Sequence, residues 1–221
     1  MNIAYNPEGQ ARLKAHGFDG VPIVCNGEEC VSGGDLRAVA RLAGFEWDPP
    51  PMLPPDVLYA KWDAILDAAC RFTRQIPPEG LEYKSPDRDR SFRDLSYHAL
   101  SIARGFIRVY NSRDREGFRG MMDPAPADRQ TSGALAAYGE ETRQMLREWW
   151  ESAGQHDPLE DVLESYQGWK TLHETLERET WHTAQHTRQI QMFLERLEIA
   201  PEQPLTPELL AGLPLPERVW D

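Results

Sequence analysis

The sequence predicts a mainly α protein: a four-helix bundle preceded by a small α+β fragment of helix, β-hairpin and helix. Three observations carry this. Apolar residues recur at helical spacing in four long windows after residue 54. Before about residue 46 the pattern changes to two short capped helices flanking β-prone runs joined by Asn26-Gly27. In the last long window the apolar stripe is broken by Glu179, His182 and His186, spaced i, i+3, i+7 and so on one helix face.

Composition bounds the partners. The chain has 221 residues and a formal net charge of −12, enough for one substantial core with an appendage. An acidic surface repels nucleic acid and anionic membranes, so neither is expected as a partner. No stretch approaches the roughly 20 apolar residues of a membrane helix, and no basic start leads into an apolar run. The expectation is a cytoplasmic protein, with a homodimer left open. Three cysteines, an odd number, do not suggest a secreted disulfide framework.

Residues 1–50 form the first predicted domain. Asn6-Pro7-Glu8 reads as an N-cap, a proline at the first helical position and an acid in the first turn. That helix runs to His16, with Gly17 ending it. The stretch Val21–Val31 follows as a hairpin with Asn26-Gly27 between its two β-prone runs, then Ser32-Gly33-Gly34-Asp35 leads into a helix ending near Ala43. With Asn26 and Gly27 as the turn, Cys25 faces Glu28 and Cys30 faces Ile23. The two cysteines are then diagonal neighbours, poorly placed for a disulfide, and are expected to be reduced.

A proline-rich linker, Asp48 to Pro55, leads into the second domain, residues 54–199. The first long helix spans about Asp56–Gln75, with Leu58, Trp62, Ile65, Ala69, Phe72 and Ile76 inward and Cys70 flanking them. The second runs from Ser91 to Asn111 on Phe92, Leu95, Ala99, Ile102, Phe106 and Val109. The third runs from Ser132 to Ser152 on Leu135, Tyr138, Thr142, Met145 and Trp149. The fourth runs from about Trp169 to Ile199 on Leu172, Leu176, Ile190, Phe193 and Leu197. The connections Ser112–Gln130 and Ala153–Gln167 are long for a compact domain, a length often tied to function. Residues 200–221 form a tail, with a short helix from Pro207 and Leu213 to Trp220 packing back.

His182 and His186, four apart on a helix, can aim both imidazoles at one point, as a metal requires. A third ligand must come from elsewhere, and His98, beside the apolar stripe of the second long helix, is the candidate. His16, His156 and His173 fall at a helix end, in a loop and on another part of the face. Three neutral imidazoles leave a divalent ion an open position, the arrangement of a catalytic rather than a structural site. Zinc is the default; nickel, iron and manganese also accept imidazole. Glu179 is a candidate base, fourth ligand or acceptor for a ring N–H. Gln189 is a candidate for orienting a substrate.

One histidine in the second long helix, followed by His182, His186 and Gln189 in the last, resembles the DinB-like superfamily of four-helix bundles. The resemblance covers about Pro54 to Ile199. It implies a three-histidine metal site open at one end of the bundle, and relatives that use a low-molecular-weight thiol as co-substrate, thiol-dependent S-transferases and maleylpyruvate isomerase among them. The N-terminal order resembles the C-terminal half of a glutaredoxin or thioredoxin-like fold. Val21-Pro22 sits where that family has its cis-proline, and Gly33-Gly34-Asp35 resembles its loop after the last strand. The family's C-x-x-C has no counterpart, so redox catalysis is not expected. What the resemblance implies instead is thiol binding, with Val21, Pro22, Gly34 and Asp35 as contacts; Asp35 also fits as a plain N-cap. Arg188, Arg104 and Arg108 are candidate cations for an anionic thiol.

The expected function is a metal-dependent, glutathione-like-thiol-dependent transferase or isomerase acting on a small electrophile. The alternatives are a metal-dependent hydrolase using metal-bound hydroxide and a non-catalytic metal-binding module.

Overall fold

The computed structural model describes residues 6–18, 23–33, 35–46, 51–84, 90–165 and 168–219. By contacts the chain divides into two units: residues 1–51 with 162–170, and residues 52–161 with 171–221.

In the first unit, α1 (Pro7–Ala15) begins where Asn6 accepts a hydrogen bond from the Gly9 N–H. Strands β1 (Ile23–Asn26) and β2 (Glu29–Ser32) pair antiparallel and pack on α2 (Leu36–Ala43). Asp35 caps α2 by accepting from the Ala38 N–H at 3.0 Å, and Gly44 closes it in the left-handed region at φ 77°. The hairpin corrects the expectation about its cysteines. The turn is Gly27-Glu28, because Asn26 stays in the ladder opposite Glu29 and its side-chain amide donates to Leu42 O. Gly27 takes the positive φ of 66° that the first turn position demands. Cys25 therefore lies directly opposite Cys30, not diagonally, with Cα atoms 4.1 Å apart, and the two form a disulfide. Val21, Pro22, the peptide bond before Pro22, and Gly34 lie outside the described residues.

In the second unit, α3 (Pro55–Gln75), α5 (Phe92–Ser112), α6 (Ser132–Ser152) and α7 (Leu172–Arg196) pack as a bundle. A single turn, α4 (Pro78–Leu81), precedes α5. Helices α3 and α5 each lie between α6 and α7. Serine and threonine set the starts. Ser91 accepts from the Asp94 N–H, Thr131 from the Ala134 N–H, and Thr171 with Glu174 makes a full capping box. The core joins Phe72, Phe92, Leu95, Leu135, Ile190 and Phe193, all buried. Phe92 and Phe193 stack at 3.6 Å. The tail helix α8 (Pro207–Leu210) is tied to α3 by Lys61 Nζ, which donates to Leu209 O at 2.8 Å. Leu213 packs back, as expected, while Trp220 lies outside the described residues.

Four features differ from the sequence reading. Helix α7 starts at Leu172, not Trp169. Residues Val162–Ser165 (β3) and Gly168–Thr171 (β4) pair as a second two-stranded sheet that periodicity did not reveal, with Trp169 71% exposed on it. In α6, Leu146 rather than Met145 faces the core. Leu197 follows the last helical residue and is exposed. Among the described residues no helix is long and apolar enough to cross a membrane.

Candidate metal centre

Helix α7 carries an unusual run of buried polar residues: Glu179, Thr180, Thr183, Gln185, His186, Thr187 and Gln189. The threonines solve their own burial. Each hydroxyl of Thr180, Thr183 and Thr187 donates to the carbonyl four residues back. Thr183 also accepts from Trp62 Nε1 at 2.9 Å, which ties α7 to α3 at this level. The histidines cannot be settled that way, because a ring nitrogen does not reach its own helix carbonyls.

His182 and His186 meet His98 of α5 in a triangle. Ring centroids are 5.1 Å apart for His98–His182 and 4.8 Å for the other two pairs. One nitrogen from each ring lies within 4.8 Å of the others. His98 and His186 are buried, while the His182 side chain keeps 15% exposure and marks the side open to solvent.

Each ring's Nδ1 faces an oxygen. His98 Nδ1 lies 2.7 Å from Met121 O, His182 Nδ1 3.0 Å from Glu179 Oε2, and His186 Nδ1 2.6 Å from Gln189 Oε1. A carbonyl or carboxylate oxygen can only accept, so each Nδ1 carries the proton and donates. That leaves the three Nε2 atoms as bare lone pairs. His98 Nε2 and His182 Nε2 approach to 3.3 Å with no proton to share. A tetrahedral ion bound at about 2.0–2.1 Å spaces its ligand nitrogens about 3.3–3.4 Å apart, so this pair already has the required separation.

Electrostatics agrees. Burial pushes the His98 ring down to about 3, and the neighbouring His182 adds to the shift. Burial likewise lowers His182, partly opposed by Glu179, and takes His186 well below its ordinary value. Neutral imidazoles are the form a metal binds. The donor set, its tautomers and its charge state all fit a divalent cation, which His98, His182 and His186 would hold through Nε2.

The contact to Met121 depends on the long loop after α5. A 3-10 turn at Arg115–Phe118 lies against α5, where Gly117 leaves no room for a side chain: a Cβ there would stand 2.5 Å from Val109 N. Gly105 admits Met121 and Phe118, whose atoms would meet a Cβ at 3.3 Å. Arg108 Nε donates to Gly117 O at 2.8 Å and fastens the turn. These small contacts deliver a loop carbonyl to a ring nitrogen 23 residues away.

The expected site residues therefore fall out as follows. His98, His182 and His186 come together. His173 Nε2 is bonded to Leu53 O, and His156 ends a 3-10 turn. Glu179 and Gln189 both sit on ring nitrogens. Asp35 caps α2. Arg104 pairs with Thr142 and Glu141, Arg108 holds its loop, and Arg188 donates to Gln185 and to the tail carbonyls of Pro216 and Glu217. The cations whose charge reaches the rings are instead Arg90 and Arg178. Arg178 lies over the Trp181 ring at 4.0 Å. Sequence reasoning passed over it, although four residues before His182 is the same helix face. Cys70 is buried and its thiol is pushed up to about 12 by burial, so it is no nucleophile.

No known family model matches the chain, and no curated protein matches it.

Proposed function

We propose that the protein is a metal-dependent transferase or isomerase that presents a low-molecular-weight thiol, such as glutathione, to a small electrophile. The observation that carries the metal half is the set of three inward Nε2 atoms, each with its Nδ1 already donating to an oxygen. The thiol half is supported by the resemblance of His98, His182, His186 and Gln189 to the DinB-like pattern and of the first unit to a glutaredoxin half-fold. A bound divalent ion, zinc by default, supplies a Lewis acid that lowers the pKa of a thiol or water at its open position.

The chain's own residues do the rest. Glu179, Gln189 and Met121 fix the tautomer and angle of the rings and raise their basicity as ligands. Arg90 and Arg178 add positive charge on the same centre, which favours an anionic group arriving there. Burial of His98 and His186 keeps water from competing on two sides and leaves approach past His182.

The test is a thermal-shift series on zinc-loaded protein with glutathione and other small thiols. Stabilisation that disappears in His98→Ala supports the reading, because a ligand of the native state raises the melting temperature by mass action. No shift with any thiol at millimolar concentration removes the thiol half and leaves the hydrolase.

A further inference from the structure

The cysteine pair of the β1–β2 hairpin takes no part in the metal centre, and its geometry is not that of a buried structural staple. We propose that Cys25–Cys30 is a thiol-exchangeable disulfide and that Cys25 is a reversible S-thiolation site for a low-molecular-weight thiol. Three observations place it there. The residues are directly opposed in the ladder, so the bond forms and re-forms without moving the backbone register. Cys25 is exposed, so an incoming thiolate has a path to its sulfur, while Cys30 is half-buried. The bond joins residues only five apart. So short a ring removes less unfolded-chain entropy than a long-range crosslink, and little folding energy opposes its opening. A two-stranded hairpin whose turn lies in solvent also opens more cheaply than a core element.

The exchange balances as follows. A thiolate RS⁻ attacks Cys25 Sγ, the Cys25–Cys30 bond breaks, and its electron pair leaves on Cys30 as a thiolate that takes a proton. The product is Cys25–S–S–R with Cys30 reduced. A second thiolate then attacks the outer sulfur of the mixed disulfide, releasing RSSR and leaving two protein thiols, or the Cys30 thiolate attacks Cys25 Sγ, expels RS⁻ and returns the original bond. No other oxidant or reductant is needed.

The experiment uses the full chain purified without reductant, pulsed with iodoacetamide and mapped by peptide mass spectrometry. Cys25 and Cys30 should be unlabelled at first. After millimolar reduced glutathione at neutral pH, a glutathione adduct should appear on Cys25 with label on Cys30, and with excess both should label nearly completely. Cys70, buried in the other unit, should stay unlabelled throughout and so reports that the chain is folded. In Cys30→Ser, oxidised glutathione should leave a stable adduct on Cys25. The proposal is overturned if the folded protein resists millimolar glutathione while the urea-unfolded protein is reduced, or if both cysteines label before any thiol is added. It is equally overturned if Cys30→Ser takes up no adduct while Cys70 remains protected. None of these readouts depends on metal or turnover, so this proposal and the thiol-dependent reading of the metal centre fail separately.

Discussion

The Arg–Asp cluster between α3 and α6 and the histidine cluster between α5 and α7 take polar groups out of water in different ways. In the first, Arg143 and Arg147 each grip both oxygens of Asp63, at 2.8–3.0 Å, and Arg143 and Arg71 share Asp67. Burial alone would raise the Asp63 carboxyl, but the hydrogen bonds from Arg143 and Arg147 outweigh it and hold the carboxyl below its usual range. Donors meet acceptors, and the cluster is complete. In the second, every donor is spent outward on Met121, Glu179 and Gln189, and three acceptors point inward at one another. Three lone pairs facing one another are the donor set of a cation. The difference teaches that a metal site is recognised less by which residues gather than by which of their atoms are left facing each other.

The largest effect that would break this comparison is at the ligands. His98→Ala, His182→Ala and His186→Ala should each lose zinc on dialysis, while His156→Ala and His173→Ala retain it. Equal metal content across all five would reduce the histidine cluster to ordinary packing. Next come the acceptors. Glu179→Ala, and separately Gln189→Leu, should weaken metal affinity about 10–100-fold, measured by competition with a chelator. Affinities like the parent's would mean that these groups do not set the ring geometry.

A smaller effect separates the clusters by pH. Above about 6.5 the His98 ring is neutral both folded and unfolded, so its burial carries no proton penalty. As pH falls below that value the unfolded ring takes up a proton and the folded ring, with its value near 3, does not. Metal-free protein should therefore lose about 2 kcal/mol between about pH 6.5 and pH 5 from His98 alone. The other two rings add in the same direction. Asp63 works at lower pH, since its stabilising ionisation is present above the ordinary carboxyl value and lost below it. Urea unfolding of the metal-free chain at both pH values reads this directly, and a flat response would contradict the neutral, buried rings.

The smallest effect is on the other side. Arg143→Ala should cost about 1 kcal/mol or less and be muted by salt, because both partners keep some exposure and Arg147 still holds Asp63. Bound zinc should not change.

Much of this was legible in the sequence where one helix face decides the matter. The starts near Ser91 and Ser132 and the stripes of α3 and α5 follow from spacing, as does the convergence of His182 and His186. His98 was legible because a histidine beside an otherwise apolar stripe asks for a partner. Met121 was not, since a backbone carbonyl leaves no mark in the residue name and its delivery depends on two glycines packing a loop on α5. The start of α7 was misplaced because Trp169 continues the helical spacing, whereas Thr171 with Glu174 supplies the cap that governs it. The cysteine pairing was misread by one residue of turn register. Moving the turn by one residue moves each cross-strand partner by two, which keeps the face and turns a diagonal pair into a directly opposed one, and the amide of Asn26, bonded to Leu42 O, kept it out of the turn.

The most direct test of the central claim is X-ray absorption at the zinc edge on metal-loaded protein, with His98→Ala beside it. The account predicts one ion per chain, with three imidazole nitrogens at about 2.0–2.1 Å and one exchangeable light ligand. A chain that retains no ion, or an unchanged coordination shell in His98→Ala, would contradict it.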